Sequence, residues 1–295
     1  MDLKNYIQER QALVEEALSS SINDGATPER LAESMTYSLK AGGKRLRPVL
    51  VVAGAEAVGG SAAQVLPAAV AMEMIHTFSL IHDDLPSMDD DDLRRGKPTN
   101  HKVYGEAMAI LAGDGLLAEA FHVIADRSRF PDVTDAVIVD VLRDIAHATG
   151  PRGMTGGQVI DMESTGKKIT PDELKRLHEH KTGRLITASV TAGARLAGAN
   201  AEQISALNTY GEAIGLAFQI ADDILDIEGD QEELGKDVGS DVEQGKNTYP
   251  ALIGMEESKK RAQQLVNEAV NALQNFGDSA EPLREIARYV VTRKN

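Results

Sequence analysis

Between His82 and Pro98, six carboxylates fall within ten residues: Asp83, Asp84 and then Asp89 to Asp92. Three cations, Arg94, Arg95 and Lys97, follow at once. Carboxylates packed this closely repel one another unless positive charge sits among them. A hard divalent cation such as Mg²⁺ suits them, because it takes oxygen ligands and shares them with substrate phosphates. The cations that follow would hold those phosphates. A solvated acidic loop is the usual outcome of such a run, but three features set this one apart. An apolar stretch from Met74 to Ile81 leads into it, and Pro86 ends that helix. A second acidic set, Asp222, Asp223 and Asp226, repeats the arrangement. If the two lead-in helices face each other, the two sets become the walls of one cleft.

The rest of the chain also reads as helix. Residues 2 to 22 are amphipathic, with Leu3, Ile7, Leu13, Val14 and Leu18 on one side. Thr27-Pro28-Glu29 marks a second helix start, and Gly42-Gly43 ends that helix. Apolar helices are expected over 49–58 and 62–82. Residues 103–125 continue the pattern, with Gly113-Asp114-Gly115 as a weak spot, and 132–149 follow. Gly153 to Gly157 reads as flexible. Thr170-Pro171-Asp172-Glu173 is another strong start. One long helix over 201–228 carries Gln219, Asp222, Asp223 and Asp226 on its face. The polar stretch after it supplies Lys236 and Lys246, and two amphipathic helices complete the chain. Hairpin signals and repeats are absent. The expectation is an all-α, single-domain bundle over residues 1–295, about ten helices around a central cleft.

Composition narrows the function. Aromatics make up 4% and Trp is absent, so Ala, Leu, Ile, Val and Met must fill the core. A net charge of −15 argues against a nucleic acid partner. With no cysteine, disulfides and thiolate chemistry are excluded. The cysteine-free chain fits the cytoplasm, and the mixed-polar first residues are not a signal peptide. The longest uncharged apolar run, Val65 to Met72, is cut by Glu73 and His76, so no membrane span is expected.

Lys44 and Arg47 open a helix just after Gly42-Gly43. Helix starts carry unpaired N–H groups and a positive dipole end, so two cations there call for an anion. His76 and Asp83 are two helical turns apart on one face, which makes His76 a candidate phosphate contact. Asp222 and Asp226, one turn apart, also share a face. Asp89 must be folded back toward Asp83 by the Pro86 turn. A diphosphate between the walls would be joined to them by Mg²⁺. Without the metal each charge contact at ~4 Å would repel by about 4 kcal/mol at an effective dielectric of 20. Arg94, Lys181 and Lys236 would complete the positive shell. Met74, Ile75, Phe78 and Leu80 would line a dry pocket below.

These stretches resemble the trans-isoprenyl diphosphate synthases. Phe78-Ser79-Leu80-Ile81-His82-Asp83-Asp84-Leu85-Pro86-Ser87-Met88-Asp89 looks like the first aspartate-rich motif of that family. Ala217-Phe218-Gln219-Ile220-Ala221-Asp222-Asp223-Ile224-Leu225-Asp226 looks like the second. Gly42 to Pro48, Lys181-Thr182-Gly183 and Gly235-Lys236-Asp237 match further landmarks in order. The match is closest to the short-chain bacterial members that make farnesyl diphosphate. The resemblance implies a homodimer and about three Mg²⁺ ions, with Mn²⁺ as a substitute. It implies head-to-tail condensation of isopentenyl diphosphate with an allylic diphosphate. Lys44, Arg47, His76 and Arg95 match residues that hold isopentenyl diphosphate. Arg94, Lys181, Thr182, Gln219, Lys236 and Lys246 are assigned to the allylic substrate, and the first four of these to catalysis. Asp83, Asp89 and Asp222 match metal ligands, with Asp84 and Asp226 assisting.

Phe78 and Ser79 are the candidates for setting product length. Many bacterial members have Tyr at the first of these positions, and Phe is as bulky. Three rival readings rank below this one. A twenty-carbon synthase would want a small residue at 78. A class I terpene cyclase would want an Asn-Asp…Ser…Glu second motif. A helical divalent-cation binder would not need Arg94, Arg95, Lys181 and Lys236.

Overall fold

The structure is a computed structural model that describes residues 1–22, 25–229 and 245–293. It is all-α, as expected. Among the described residues, α1 (Leu3–Ser20), α2 (Glu29–Leu39), α3 (Leu46–Ala57) and α4 (Ala62–Asp83) come first. Then follow α5 (Asn100–Tyr104), α6 (Glu106–Ala125), α7 (Asp135–Thr149) and α8 (Met154–Ser164). After α9 (Pro171–His178), a π-helical turn over Glu179–Gly183 leads into α10 (Arg184–Leu196). The 28-residue α11 (Ala201–Glu228) precedes α12 (Tyr249–Ile253), α13 (Met255–Ala272) and α14 (Glu281–Thr292). Twelve of these helices have eight residues or more, close to the expected ten.

Local chemistry sets the helix starts. Thr170 and Asn200 each close a capping box, with Glu173 and Gln203 reaching back to the cap N–H. The helix start at 27–29 differs slightly from expectation, because Pro28 itself is the cap residue and α2 begins at Glu29. The expected 103–125 helix is divided at Gly105, whose φ of +88° an L side chain rarely adopts. The stretch Gly153 to Gly157 is not irregular, since Gly153 is the cap residue of α8 and Met154 begins it. The Gly157 backbone packs against Lys181, where a Cβ would have no room. One hairpin exists despite the lack of a signal: Leu93–Arg94 pairs with Lys97–Pro98 around a turn containing Arg95 and Gly96, both at positive φ. Tyr249 onward holds three helices rather than two.

Apolar helices pack in the centre. α4 lies against α6, α3 and α1, and α10 lies between α3 and α11. The α3–α10 crossing is close because Gly54 faces the Val190 carbonyl and Gly193 faces that of Val51. The core clusters are built mainly from Ala, Val, Leu, Ile and Met. Among the described residues, two helices, α4 and α6, are long and apolar enough to cross a membrane. Apolar faces of both pack into this core, although α6 leaves Ile110 (43%) and Leu111 (53%) exposed. This bundle sets the C-terminal ends of α4 and α11 beside the π-helical turn.

Candidate active site

Asp83 is the last residue of α4. The Pro86 turn folds back as the spacing required, with the Asp89 N–H donating to the Asp83 carbonyl at 2.9 Å. Burial pushes the Asp83 carboxyl up to about 6, against the pull of Lys181 and with a further push from Asp89. Asp84 is buried and accepts from Arg94 Nε at 2.9 Å, while Arg94 Nη2 also donates to Asp91 at 2.7 Å. Arg94 is thus held within the first motif, and the hairpin that carries it is pinned to α4.

Lys181 reaches the same wall from the π-helical turn. Its Nζ donates to Asp161 of α8 at 2.6 Å, and Asp83 and Asp89 also raise its pKa. π-turns often mark functional sites, because the extra residue re-aims its neighbours. Thr182 is buried in this turn.

The second motif divides its roles. Asp222 pairs with Arg293 Nη2 at 2.6 Å. Asp223 is buried and accepts from the Tyr249 N–H at 2.8 Å, with His178 Nε2 at 3.4 Å. Asp223 therefore anchors α9 and α12. Asp226 is buried, and Gln219 is half-buried one turn before Asp223. Lys246 lies next to two anchors: the Gly245 carbonyl accepts from Gly166, and the Asn247 amide donates to the Ser164 and Lys167 carbonyls. Lys236 lies outside the described residues.

A cationic pocket adjoins the first wall. Arg95, at φ +55°, donates to the Gly42 carbonyl, and its guanidinium occupies the place a Cβ on Gly43 would need. Arg47 is pushed down to about 10 by burial, with Arg95 lowering it further. His76 lies among Arg47, Arg95, Arg45 and Arg94, and burial plus these charges hold it neutral. Arg47 Nε and His76 Nδ1 are buried with no partner. Phe78 is half-buried, and the Ser79 hydroxyl is used on its own helix, donating to the His76 carbonyl at 2.8 Å.

The structure adds residues that the sequence reading did not single out. Asp161 holds Lys181, and Arg293 covers Asp222. Arg45 is buried in ion pairs with Glu15 and Glu73, each at 2.6 Å. Among the described residues, no three His, Asp or Glu side chains converge as a preformed metal site would. The donors nonetheless fit a hard divalent cation. Asp83 and Asp89 are joined by the turn, they offer only oxygen, and burial makes an uncompensated charge on Asp83 costly.

The Polyprenyl synthetase family model matches residues 28–288. A farnesyl diphosphate synthase of Geobacillus stearothermophilus is 48% identical, covering 99% of this chain and 98% of that one. A geranylgeranyl diphosphate synthase of Cyanophora paradoxa is 49% identical, over 100% and 97% of the two chains. Among solved structures, the geranylgeranyl pyrophosphate synthetase of Pyrococcus horikoshii superposes with a TM-score of 0.89 at 32% identity, over 99% and 98% of the chains. The FPP/GFPP synthase of Zymomonas mobilis gives 0.87 at 38%, over 98% and 99%. The chain belongs to the polyprenyl synthetase family and is a prenyltransferase.

Proposed function

We propose that this chain condenses isopentenyl diphosphate head-to-tail with dimethylallyl and then geranyl diphosphate, and stops mainly at farnesyl diphosphate. The observation that carries this reading is the cationic pocket beside two acidic walls. Buried Arg47 Nε and His76 Nδ1 have no protein partner, so the pocket wants an anion. A divalent-cation binder would have no use for it.

Arg47, Arg95, His76 and Lys44 would hold the diphosphate of isopentenyl diphosphate. Lys181, Thr182, Gln219, Arg94, Lys246 and Lys236 would hold the allylic diphosphate. Asp83, Asp89 and Asp222 would hold about three Mg²⁺ ions, or Mn²⁺, assisted by Asp84 and Asp226. When bound, these ions stabilise the negative charge that builds on the departing diphosphate. The allylic C–O bond breaks, the alkene of isopentenyl diphosphate attacks the allylic cation to form a C–C bond, and a proton leaves to the diphosphate. Lys181, fixed by Asp161, keeps a cation next to the bond that breaks. The apolar flank of α4 keeps water from the carbocation.

Product length follows from Phe78. It lies five residues before Asp83, roughly 7.5 Å deeper at a rise of 1.5 Å per residue. Its ring would block a chain that has grown by two additions. The test is Phe78→Ala with dimethylallyl and isopentenyl diphosphates and Mg²⁺, with the dephosphorylated alcohols resolved by chromatography. Wild type is expected to give mainly fifteen carbons and the variant twenty or more. Fifteen carbons alone from a folded variant would place the floor elsewhere, and twenty from wild type would make the chain a geranylgeranyl diphosphate synthase.

We also read the chain as a cytoplasmic homodimer. Ile110 and Leu111, neighbouring large apolar side chains left exposed on α6, would be part of the surface that a second copy covers. Sedimentation at monomer mass across micromolar concentrations would reject it.

A further inference from the structure

We propose that His82 is a positioning residue that sets product length by holding the Phe78 ring, and that Gly113 exists to seat it. The inference rests on the reading of Phe78 as the floor. His82 stands one helical turn after Phe78 on α4. Helical side chains lean toward the N-terminus, so its ring leans onto that of Phe78. The two rings meet edge to face, with centroids 5.0 Å apart and planes at 78°.

His82 is itself fixed from across the interface. Its Nε2 lies 3.1 Å from the Ile110 carbonyl of α6. A carbonyl only accepts, so Nε2 carries the proton and donates. The Asp114 carboxylate lies 3.9 Å from the same nitrogen. At Gly113 a Cβ would overlap the imidazole. A glycine inside a helix costs about 1 kcal/mol relative to alanine, so it needs a reason. Here the reason is space, because the ring of His82 occupies what a side chain at 113 would fill. The Gly113-Asp114-Gly115 stretch thus receives the imidazole without interrupting α6.

The consequence concerns Phe78. On an isolated helix, a half-buried phenylalanine populates more than one χ1 state. With His82 clamped to α6, the ring edge is held and the floor stays closed. When the clamp is lost, the floor opens part of the time, and some chains take a further addition.

The experiment measures the ratio of twenty- to fifteen-carbon alcohols from wild type, His82→Ala, Gly113→Ala, Phe78→Ala and the Phe78→Ala/His82→Ala double variant. Circular dichroism melts confirm folding. His82→Ala and Gly113→Ala should each raise the ratio roughly two- to tenfold, the population change expected for losing one edge-to-face contact. In the Phe78→Ala background, His82→Ala should add nothing, because it acts through that ring. An unchanged ratio in both single variants, with Phe78→Ala still lengthening the product, would overturn the role of His82 and leave the floor reading intact. A further rise in the double variant would also overturn it, since His82 would then act on the chain directly. If Phe78→Ala itself yields only fifteen carbons, the floor reading fails and this inference falls with it. Should His82→Ala not fold, Gly113→Ala alone decides, because it displaces the ring without deleting it.

Discussion

Arg45 and Glu73 form the most enclosed ion pair among the described residues, and breaking it costs a different amount on each side. Arg45 caps α3 with a left-handed backbone, φ +49°, which turns its side chain inward between Lys44 and Arg47. Its guanidinium donates to Glu15, Glu73 and the Leu39 carbonyl, each at 2.6 Å. The Arg45 side chain is 0% exposed and that of Glu73 is 1%. Removing one partner of such a pair costs roughly 3–5 kcal/mol, because the other is left buried and charged. The two removals are not equal here. Glu73→Leu leaves Arg45 with Glu15 and the Leu39 carbonyl, so about 3 kcal/mol is expected. Arg45→Met leaves Glu73, whose Oε2 already lacks a partner, with neither oxygen satisfied, so about 5 kcal/mol is expected. The Arg45→Met/Glu73→Leu double variant buries no charge and should lose less than either single variant. Urea denaturation of the four proteins gives the cycle directly. Additive losses, or two single variants within about 1 kcal/mol of wild type, would refute the argument.

Three further outcomes follow from the site. Asp83→Asn and Asp222→Asn should each lower turnover roughly hundredfold or more in folded protein, and chelating the divalent metal should do the same to wild type. Steady-state rates within about tenfold of wild type in both variants would remove these residues from the metal site. Lys181→Met should raise the KM for the allylic substrate more than that for isopentenyl diphosphate, because its cation faces Asp83 and Asp89; a selective rise in the latter would swap the two sites. His76 is held neutral in the fold but takes up a proton when unfolded below its ordinary 6.5, so stability is lost as pH falls through that range. His76→Gln should flatten the slope by up to about 1.4 kcal/mol per pH unit, read from urea melts at pH 7 and 5.5.

The fold class and the position of each acidic set at the C-terminal end of an apolar helix were legible because their signals are local. An apolar lead-in, a proline stop and carboxylates one turn apart can all be read from spacing alone. The return of Asp89 to Asp83 was legible for the same reason. The partners were not, because each comes from a distant segment. Asp161 meets Lys181 only because Gly157 lets α8 approach the π-helical turn. Arg293 lies at the far end of the chain from the first wall, and only the Thr292-Arg293-Lys294 run in an otherwise acidic protein hinted at it. Arg45 sat between two assigned cations, but nothing in the spacing said that its side chain turns inward. The hairpin at Leu93 escaped because its turn residue, Arg95, takes a positive φ that its side chain does not favour.

The expectation that bare acidic walls would repel a diphosphate already set Arg94 and Lys181 beside them, and the fold adds Arg293. Asp84 carries Arg94, Asp83 faces Lys181, and Asp222 carries Arg293. Lys181 also faces Asp89, so at least four of the five carboxylates assigned to metal stand by a protein cation, drawn from the hairpin, the π-helical turn and the C-terminal end. These cations offset part of the repulsion among the carboxylates that a chain of net charge −15 brings to these helix ends. The fold also separates two roles that the sequence merges. Arg94, with two carboxylate partners, holds the first motif in shape. Lys181 and Arg293 each stand against a carboxylate that a divalent ion would claim. Arg293 has other holds, the Phe218 ring at 4.0 Å and the Phe218 carbonyl at 3.3 Å, so its place does not depend on Asp222 alone. The walls are thus compensated in part by the chain's own cations, while burial still pushes the Asp83 carboxyl up to about 6, so a divalent ion bound there would favour the charged carboxylate that burial disfavours.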